Sequence, residues 1–244
     1  MQIALISDTH GNVPALTAVL DDIRAQGADQ IIFLGDAATL GPHPRETLDI
    51  LRGLGCICIL GNHDAALLDP ARTADYQIGT GLLPALDWGR ELLNESDFDF
   101  LRSFRPIYEL ELGNALKLLC FHGSPRSNIE LILSTTPDKT MDALFSNQPA
   151  IVLAGGHTHI QMVRQHGQQV IINPGSVGIA FLEPFMPGGN TPTLLPWAEY
   201  ALVRVEKAGW SADLRRVRFD TQAVVRAVAA SGIPLKEWWL SQYR

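Results

Sequence analysis

With 244 residues, 46% of them hydrophobic and 18% charged, the chain is long enough for one sizeable α/β domain, and its length does not demand two. A net charge of −7 excludes a protein that grips long nucleic acid or a membrane surface by bulk electrostatics, although a bound cation could still present a local positive centre. The 3 cysteines, Cys56, Cys58 and Cys120, lie in apolar runs and give no disulfide framework; no apolar stretch approaches the roughly 18 residues of a membrane span, and Met1 to Ser7 lacks the features of a signal peptide, so the expected compartment is the cytoplasm.

Gln2 to Ser7 reads as a short apolar strand that ends at Asp8-Thr9-His10-Gly11-Asn12. Asn12 can cap a helix with Pro14 in its first turn and Leu16, Val19, Leu20 and Ile23 on one apolar stripe. Gln30 to Leu34 is a second strand ending at Gly35-Asp36, and a short helix from Pro44 carries Leu48 and Leu51. Cys56 to Leu60 is a third apolar run, followed without a gap by Gly61-Asn62-His63-Asp64. This β-α-β-α-β order implies right-handed crossovers and a parallel sheet. Between about Ala65 and Phe104 the alternation is interrupted. There Leu82, Leu83, Leu86, Trp88, Leu92 and Leu93 predict one or two helices packed beside the strand tips, as a structural cap that can also shape access.

Ile107 to Leu112 and Ala115 to Phe121, joined by Gly113-Asn114, predict a hairpin whose second strand ends at His122-Gly123-Ser124-Pro125-Arg126. A helix near Pro137 to Phe145 precedes the strand Ile151 to Leu153, which runs into Gly155-Gly156-His157-Thr158-His159. Gln161 to His166 and Gln168 to Ile172 flank Gly167 as another hairpin, ending in Asn173-Pro174-Gly175-Ser176-Val177-Gly178. Glu183 to Pro196, rich in Pro and Gly, predicts a surface loop. Ala201 to Val205 and Leu214 to Phe219 form a late antiparallel pair, and helices near Thr221 to Ala230 and Leu235 to Gln242 close the chain. His43 and His166 read as surface residues, and Arg215, Arg216 and Arg218 as a solvated strand edge.

Asp8, His10, Asp36, Asn62, His63, His122, His157 and His159 all stand just past apolar runs, where open α/β sheets bind ligands. A lone histidine at a strand end is more often a hydrogen-bonded structural residue. Five clusters of ligand-type residues after five apolar runs point instead to a metal site. Carboxylate, imidazole and amide oxygen without thiolate suit divalent Mn, Fe, Zn or Ni. There are too many donors for one tetrahedral ion and about enough for two, and Asp36 is the natural carboxylate to bridge a pair.

In this order, Asp8-Thr9-His10, Gly35-Asp36, Gly61-Asn62-His63-Asp64, His122 and Gly156-His157-Thr158-His159 resemble the five motifs of the calcineurin-like metallophosphoesterases. The resemblance spans residues 1 to about 178. Asn173 to Gly178 and the tail around Arg216 to Pro234 are similar to the small bacterial and archaeal members. It implies a four-layer α/β/β/α sandwich of two mixed β-sheets flanked by helices, with a binuclear metal site at the strand ends of one domain over residues 1–244. It assigns Asp8, His10, Asp36 and His159 to one cation and Asp36, Asn62, His122 and His157 to the other. The expected cofactors are two divalent ions, Mn foremost.

A water held between two dications has a strongly lowered pKa, and the resulting hydroxide can attack phosphorus in line while the cations neutralise developing charge. His63 is the candidate general acid for the leaving oxygen, a role that the resemblance supports. Some relatives pair that histidine with an aspartate shortly after Gly-Asp, whereas Ala37, Ala38, Thr39 and Leu40 stand here; Asp64 is a candidate partner, or a cap of the following helix. Arg126 is a candidate phosphate contact, with a solvated loop arginine as the alternative. After Gly178, where close relatives often carry a basic residue, this chain has Ile179-Ala180-Phe181-Leu182.

The expected activity is hydrolysis of a phosphodiester or phosphomonoester. Cyclic nucleotides and dinucleoside polyphosphates stay open as substrates, and a non-catalytic metal-binding scaffold is the rival from another class. The expected partner is a small phosphate ester, not long nucleic acid and not a membrane; assembly with further copies of the chain is left open.

Overall fold

Side-chain parity along the first strand sets the layering. In β1 (Gln2–Ile6), Ile3 and Leu5 face one way and Ala4 and Ile6 the other, and all four are buried. A strand covered on both faces must lie between two layers. The computed structural model describes residues 1–113, 116–185 and 191–243. Asn12 caps α1 (Val13–Gln26) by accepting from the Ala15 N–H, and Gly27 closes it in the left-handed conformation. β2 (Gln30–Phe33), α2 (Pro44–Leu54) and β3 (Ile57–Cys58) complete the first α/β units.

β3 is shorter than the apolar run Cys56 to Leu60 predicts. Ile59 already pairs with Arg105, whose N–H and C=O bond Cys58 and Leu60, so an irregular segment takes over the sheet edge. Asn62 and His63 begin α3 (Asn62–Leu68), which is followed by α4 (Leu83–Glu91) and α5 (Glu95–Arg102), the predicted helical excursion. β4 (Tyr108–Gly113) and β5 (Leu116–Cys120) pair antiparallel; Asn114 of the expected turn lies outside the described residues. Then come α6 (Asp138–Phe145), β6 (Val152–Ala154), β7 (Met162–His166), β8 (Gln169–Asn173), β9 (Ala198–Glu206), β10 (Gly209–Val217), α7 (Thr221–Ala230) and α8 (Lys236–Gln242). In the expected Pro/Gly loop, Phe181 bridges to Leu194, and residues 186–190 lie outside the described residues.

Two five-stranded mixed sheets result, ordered β10-β9-β1-β2-β3 and β4-β5-β6-β8-β7. Between them, Ile3, Leu5, Ile32 and Ile59 from one sheet meet Leu118, Cys120, Val152 and Ile172 from the other. The outer face of the first sheet packs Ala4, Ile6 and Phe33 against Leu16, Val19 and Leu48 of α1 and α2. The outer face of the second packs Leu119, Leu153 and Ile171 against Met141, Leu144 and Phe145 of α6. This is the expected α/β/β/α sandwich. A further cluster joins α7 and α8 to Leu40 and Ala85, with the Trp239 indole N–H donating to the Leu40 carbonyl at 2.7 Å.

His166 lies near the surface, 2.9 Å from Asp142 and 3.8 Å from Asp138. Arg215 and Arg216 lie on the edge strand β10, Arg216 and Arg218 are exposed, and Arg215 and Arg216 also pair with Asp22 and with the buried Glu199.

Candidate metal centre

The carboxyl ends of β1, β2, β5 and β6 deliver Asp8, Asp36, His122 and the pair His157 and His159 to one place, and the first turn of α3 adds Asn62 and His63. The chain can turn so sharply there because five of these residues adopt left-handed backbone: Asp8, His10, Asp36, His157 and His159, with φ between 43° and 67°. Non-glycine residues there carry local strain that the surrounding fold must hold. The Ser176 hydroxyl does part of this by donating to the Asp8 carbonyl, and the Asn173 amide donates to the Gly156 carbonyl and to the Thr158 hydroxyl oxygen.

Each carboxylate uses one oxygen on a backbone N–H from another motif and turns the other toward the imidazoles. Asp8 Oδ2 accepts from the His157 N–H at 3.1 Å, while its Oδ1 has no hydrogen-bond partner among the described residues and lies 3.2 Å from His159 Nε2. Asp36 Oδ1 accepts from the His63 N–H at 2.9 Å. Its Oδ2 lies 3.4 Å from His122 Nε2 and 3.8 Å from His10 Nε2.

Backbone carbonyls fix the imidazole tautomers. His122 Nδ1 must donate to the Leu34 carbonyl at 2.7 Å, and His159 Nδ1 to the Ile179 carbonyl at 3.0 Å. In the neutral rings both Nε2 atoms then present bare lone pairs. The His122 lone pair faces Asn62 Oδ1 at 3.2 Å, and that amide is oriented by donating to the Tyr76 carbonyl at 3.0 Å. The His159 lone pair faces His10 Nε2 at 3.2 Å. Asp8 Oδ1, left without a hydrogen-bond partner among the described residues, and the inward-facing imidazole nitrogens beside it in a buried site make a donor set that a cation would satisfy. Asp8, His10 and His159 form one such group and Asp36, His122 and His157 a second, each with ligand atoms within 4.8 Å of one another. The residues present therefore fit a pair of divalent cations.

The electrostatics carry the same sign. Burial alone would raise Asp8, but His159 and His122 hold it below the ordinary carboxylate value; burial opposes Asp36 likewise, and His122 and His63 hold it well below. Burial works against charge on His122, yet Asp36 and then Asp8 raise it to about 10. Burial and the neighbouring His122 push His157 down to about 4, and burial with His159 keeps His10 well below its usual value.

His63 and His157 are the least buried members of the group and lie toward its mouth. The His63 ring stands edge-on to His10, 5.1 Å between centroids, and its Nδ1 has no partner among the described residues. Burial lowers its pKa, with Asp36 opposing. Asp64 does not orient it. The Asp64 carboxylate accepts instead from the backbone N–H groups of Asp36, Ala37 and Gly61 at 2.7, 2.9 and 3.0 Å, clamping the Gly-Asp turn onto the start of α3. Burial and the Asp36 charge raise it to about 7 against those three donors. Arg126 lies outside the group, on an exposed loop, bound to Glu130 at 2.6 Å.

Sequence reasoning missed four contacts. Thr39 Oγ1 lies 3.1 Å from His10 Nδ1, the Tyr76 carbonyl sets the Asn62 amide, and the Asn12 amide donates to the Gly178 carbonyl. Phe181 stacks on His159 at 4.4 Å between centroids. Thr39 was within reach, being the one polar side chain among residues 37–40.

A family model for the calcineurin-like phosphoesterase superfamily domain matches residues 1–186. Over 240 residues the chain is 28% identical to an uncharacterized protein of Methanocaldococcus jannaschii, covering 97% of this chain and 94% of that one. Over 117 residues it is 42% identical to the symmetrical bis(5′-nucleosyl)-tetraphosphatase of Methylococcus capsulatus, covering 46% of this chain but only 40% of the relative. The crystal structure of a metallophosphoesterase from Sphaerobacter thermophilus superposes with a TM-score of 0.76 at 25% identity, over 100% of this chain and 98% of that one.

Proposed function

The chain belongs to the calcineurin-like phosphoesterase superfamily, and from that premise we propose that it hydrolyses a small phosphodiester or phosphomonoester at a two-cation centre, with His63 as the general acid. The carrying observation is the position of Asp36, whose Oδ2 lies within 4 Å of a histidine from each of the two ligand groups. Asp8, His10, Asp36 and His159 would hold one cation, and Asp36, Asn62, His122 and His157 the other. Divalent Mn, Fe, Zn or Ni suits this donor set. When bound, such a pair supplies a water of lowered pKa and neutralises charge on the phosphoryl oxygens.

The chain's own residues do the rest. The Leu34 and Ile179 carbonyls keep Nε2 of His122 and His159 turned inward, and the backbone N–H groups of His157 and His63 hold the two carboxylates in place. Such supporting contacts orient the ligand atoms toward the ions they would hold. His63, at the mouth and edge-on to His10, can reach the departing oxygen of an ester seated over the group. Burial makes its imidazolium a stronger acid than a free one, which favours giving up the proton.

The test is hydrolysis of bis(p-nitrophenyl) phosphate by protein stripped and reloaded with each ion. Asp36→Asn should abolish turnover and lower metal content. His63→Asn should slow esters of poor alkoxide leaving groups at least about tenfold more than p-nitrophenyl esters, since only the former need a proton. An equal loss on both would remove His63 from that role. Similarity to the Methylococcus tetraphosphatase over part of its length supports dinucleoside polyphosphates as a second reading.

A further inference from the structure

Lysine and arginine are nearly absent from the loops that build this site. Residues 1–23, 25–44, 53–71, 127–138, 140–163 and 173–203 contain no Lys or Arg, and between them they include every strand-end loop of the site but the one after β5. That loop has Arg126, whose guanidinium is engaged by both oxygens of Glu130 at 2.6 to 3.1 Å. A substrate with several phosphates needs cationic partners for each of those left outside the metal pair. Among the described residues the strand-end loops offer no unengaged one, and exposed Glu183 lies on the segment that leaves the site.

That segment is otherwise apolar. Phe181 lies on the His159 ring, and the next residues, Leu182 at 60% and Phe185 at 47% exposed, point their apolar groups to solvent. Pro184 joins Leu133, Ile160 and Met162 in lining a cleft of about 80 Å³. Ile160 directly follows His159, and the cleft also has Ser134, Thr135 and Gln161 in its lining; the two guanidinium groups that border it are already engaged, Arg164 by the Leu133 and Ser134 carbonyls and Asp138, and Arg216 by Gln161 and Glu199.

Resting on the phosphoesterase reading above, we infer that the substrate carries a single phosphoryl group bonded to an aromatic or other apolar group, which sits on the shelf from Phe181 to Phe185, and that polyphosphate chains are poor substrates. Apolar surface left exposed beside a site gains by covering a ligand's apolar part, and a missing apolar contact in such a place commonly costs one to two orders of magnitude in discrimination.

The experiment uses the full, metal-loaded chain. Expected is a kcat/KM for bis(p-nitrophenyl) phosphate at least about tenfold above that for diadenosine tetraphosphate and above that for methyl p-nitrophenyl phosphate, which has the same leaving group. The double variant Leu182→Ser with Phe185→Ser should raise KM for the diaryl ester about fivefold, with little change in kcat or in the methyl ester. Calorimetry gives a readout without turnover: phenylphosphonate should bind about fivefold tighter than methylphosphonate, and the variant should erase that difference. Efficient tetraphosphate cleavage, or a variant that affects both esters alike, overturns this inference and leaves the phosphoesterase reading standing. No turnover of any of these esters with Mn, Fe, Zn or Ni overturns the parent reading as well.

Discussion

Asp64→Asn tests whether one buried carboxylate holds the site's geometry. Asp64 Oδ2 accepts from the N–H groups of Asp36 and Gly61, and Oδ1 from that of Ala37. Asparagine has the same shape but one oxygen. Kept where two donors converge, that oxygen leaves the amide NH2 facing the Ala37 N–H, so one buried donor is stranded. A stranded donor costs about 1–3 kcal/mol, and loss of charge from the two remaining bonds adds about 1 kcal/mol. Against this, the variant removes a buried charge and its repulsion with Asp36 in metal-free protein, burial first and Asp36 second having raised the Asp64 pKa to about 7. Bound cations compensate Asp36, so the full loss of about 2–4 kcal/mol belongs to the loaded protein and a smaller one to the stripped protein. Urea unfolding of both forms at pH 8, with a calorimetric metal titration, measures it. Equal midpoints for variant and parent in the loaded form, with unchanged metal affinity, would refute the clamp.

Three further outcomes rest on contacts at the same site and its surroundings. In metal-free protein His122 titrates near 10, above its ordinary 6.5, so its stabilising charge is complete below pH 6.5 and is lost as pH rises through 10; unfolding midpoints should fall across that window, and metal should remove the decline by displacing the proton. Gly61→Ala would drive a Cβ into Asp36 Oδ1, so metal affinity by calorimetry should fall about 10- to 100-fold while far-ultraviolet circular dichroism stays unchanged. Trp239→Phe strands the Leu40 carbonyl inside the α7–α8 cluster; a loss of about 1–3 kcal/mol should appear as a drop in Tm of about 3–8 °C.

The layers and the strand-end residues were legible because buried strands write themselves as short apolar runs, and the polar residues at the end of each run are chemically distinctive. Asp36 as the bridge candidate could be read from Gly35-Asp36 only because other motifs supplied a reason for a bridge. The contacts that hold the site were not legible. The Leu34, Ile179 and Tyr76 carbonyls that set His122, His159 and Asn62 belong to backbone that any residue possesses. Thr39 meets His10 only because its loop folds back under α8, and no local pattern encodes that. The pairing of His166 was not legible because its partners, Asp138 and Asp142, come from a helix more than twenty residues earlier. The short third strand was lost to Arg105, a neighbour from the far side of the helical excursion.

The place of β9 beside β1 has a bearing on how the polypeptide is made. Gln2 through Leu5 pair with Arg204 through Ala201, beyond the end of the 186 residues that the family model spans. During translation the first strand emerges long before its second neighbour, β9, exists. Until then one flank of an apolar segment stays unzipped, a template for pairing with other nascent chains. A polypeptide trimmed at the family boundary would keep every candidate metal ligand and yet make that interim hazard permanent.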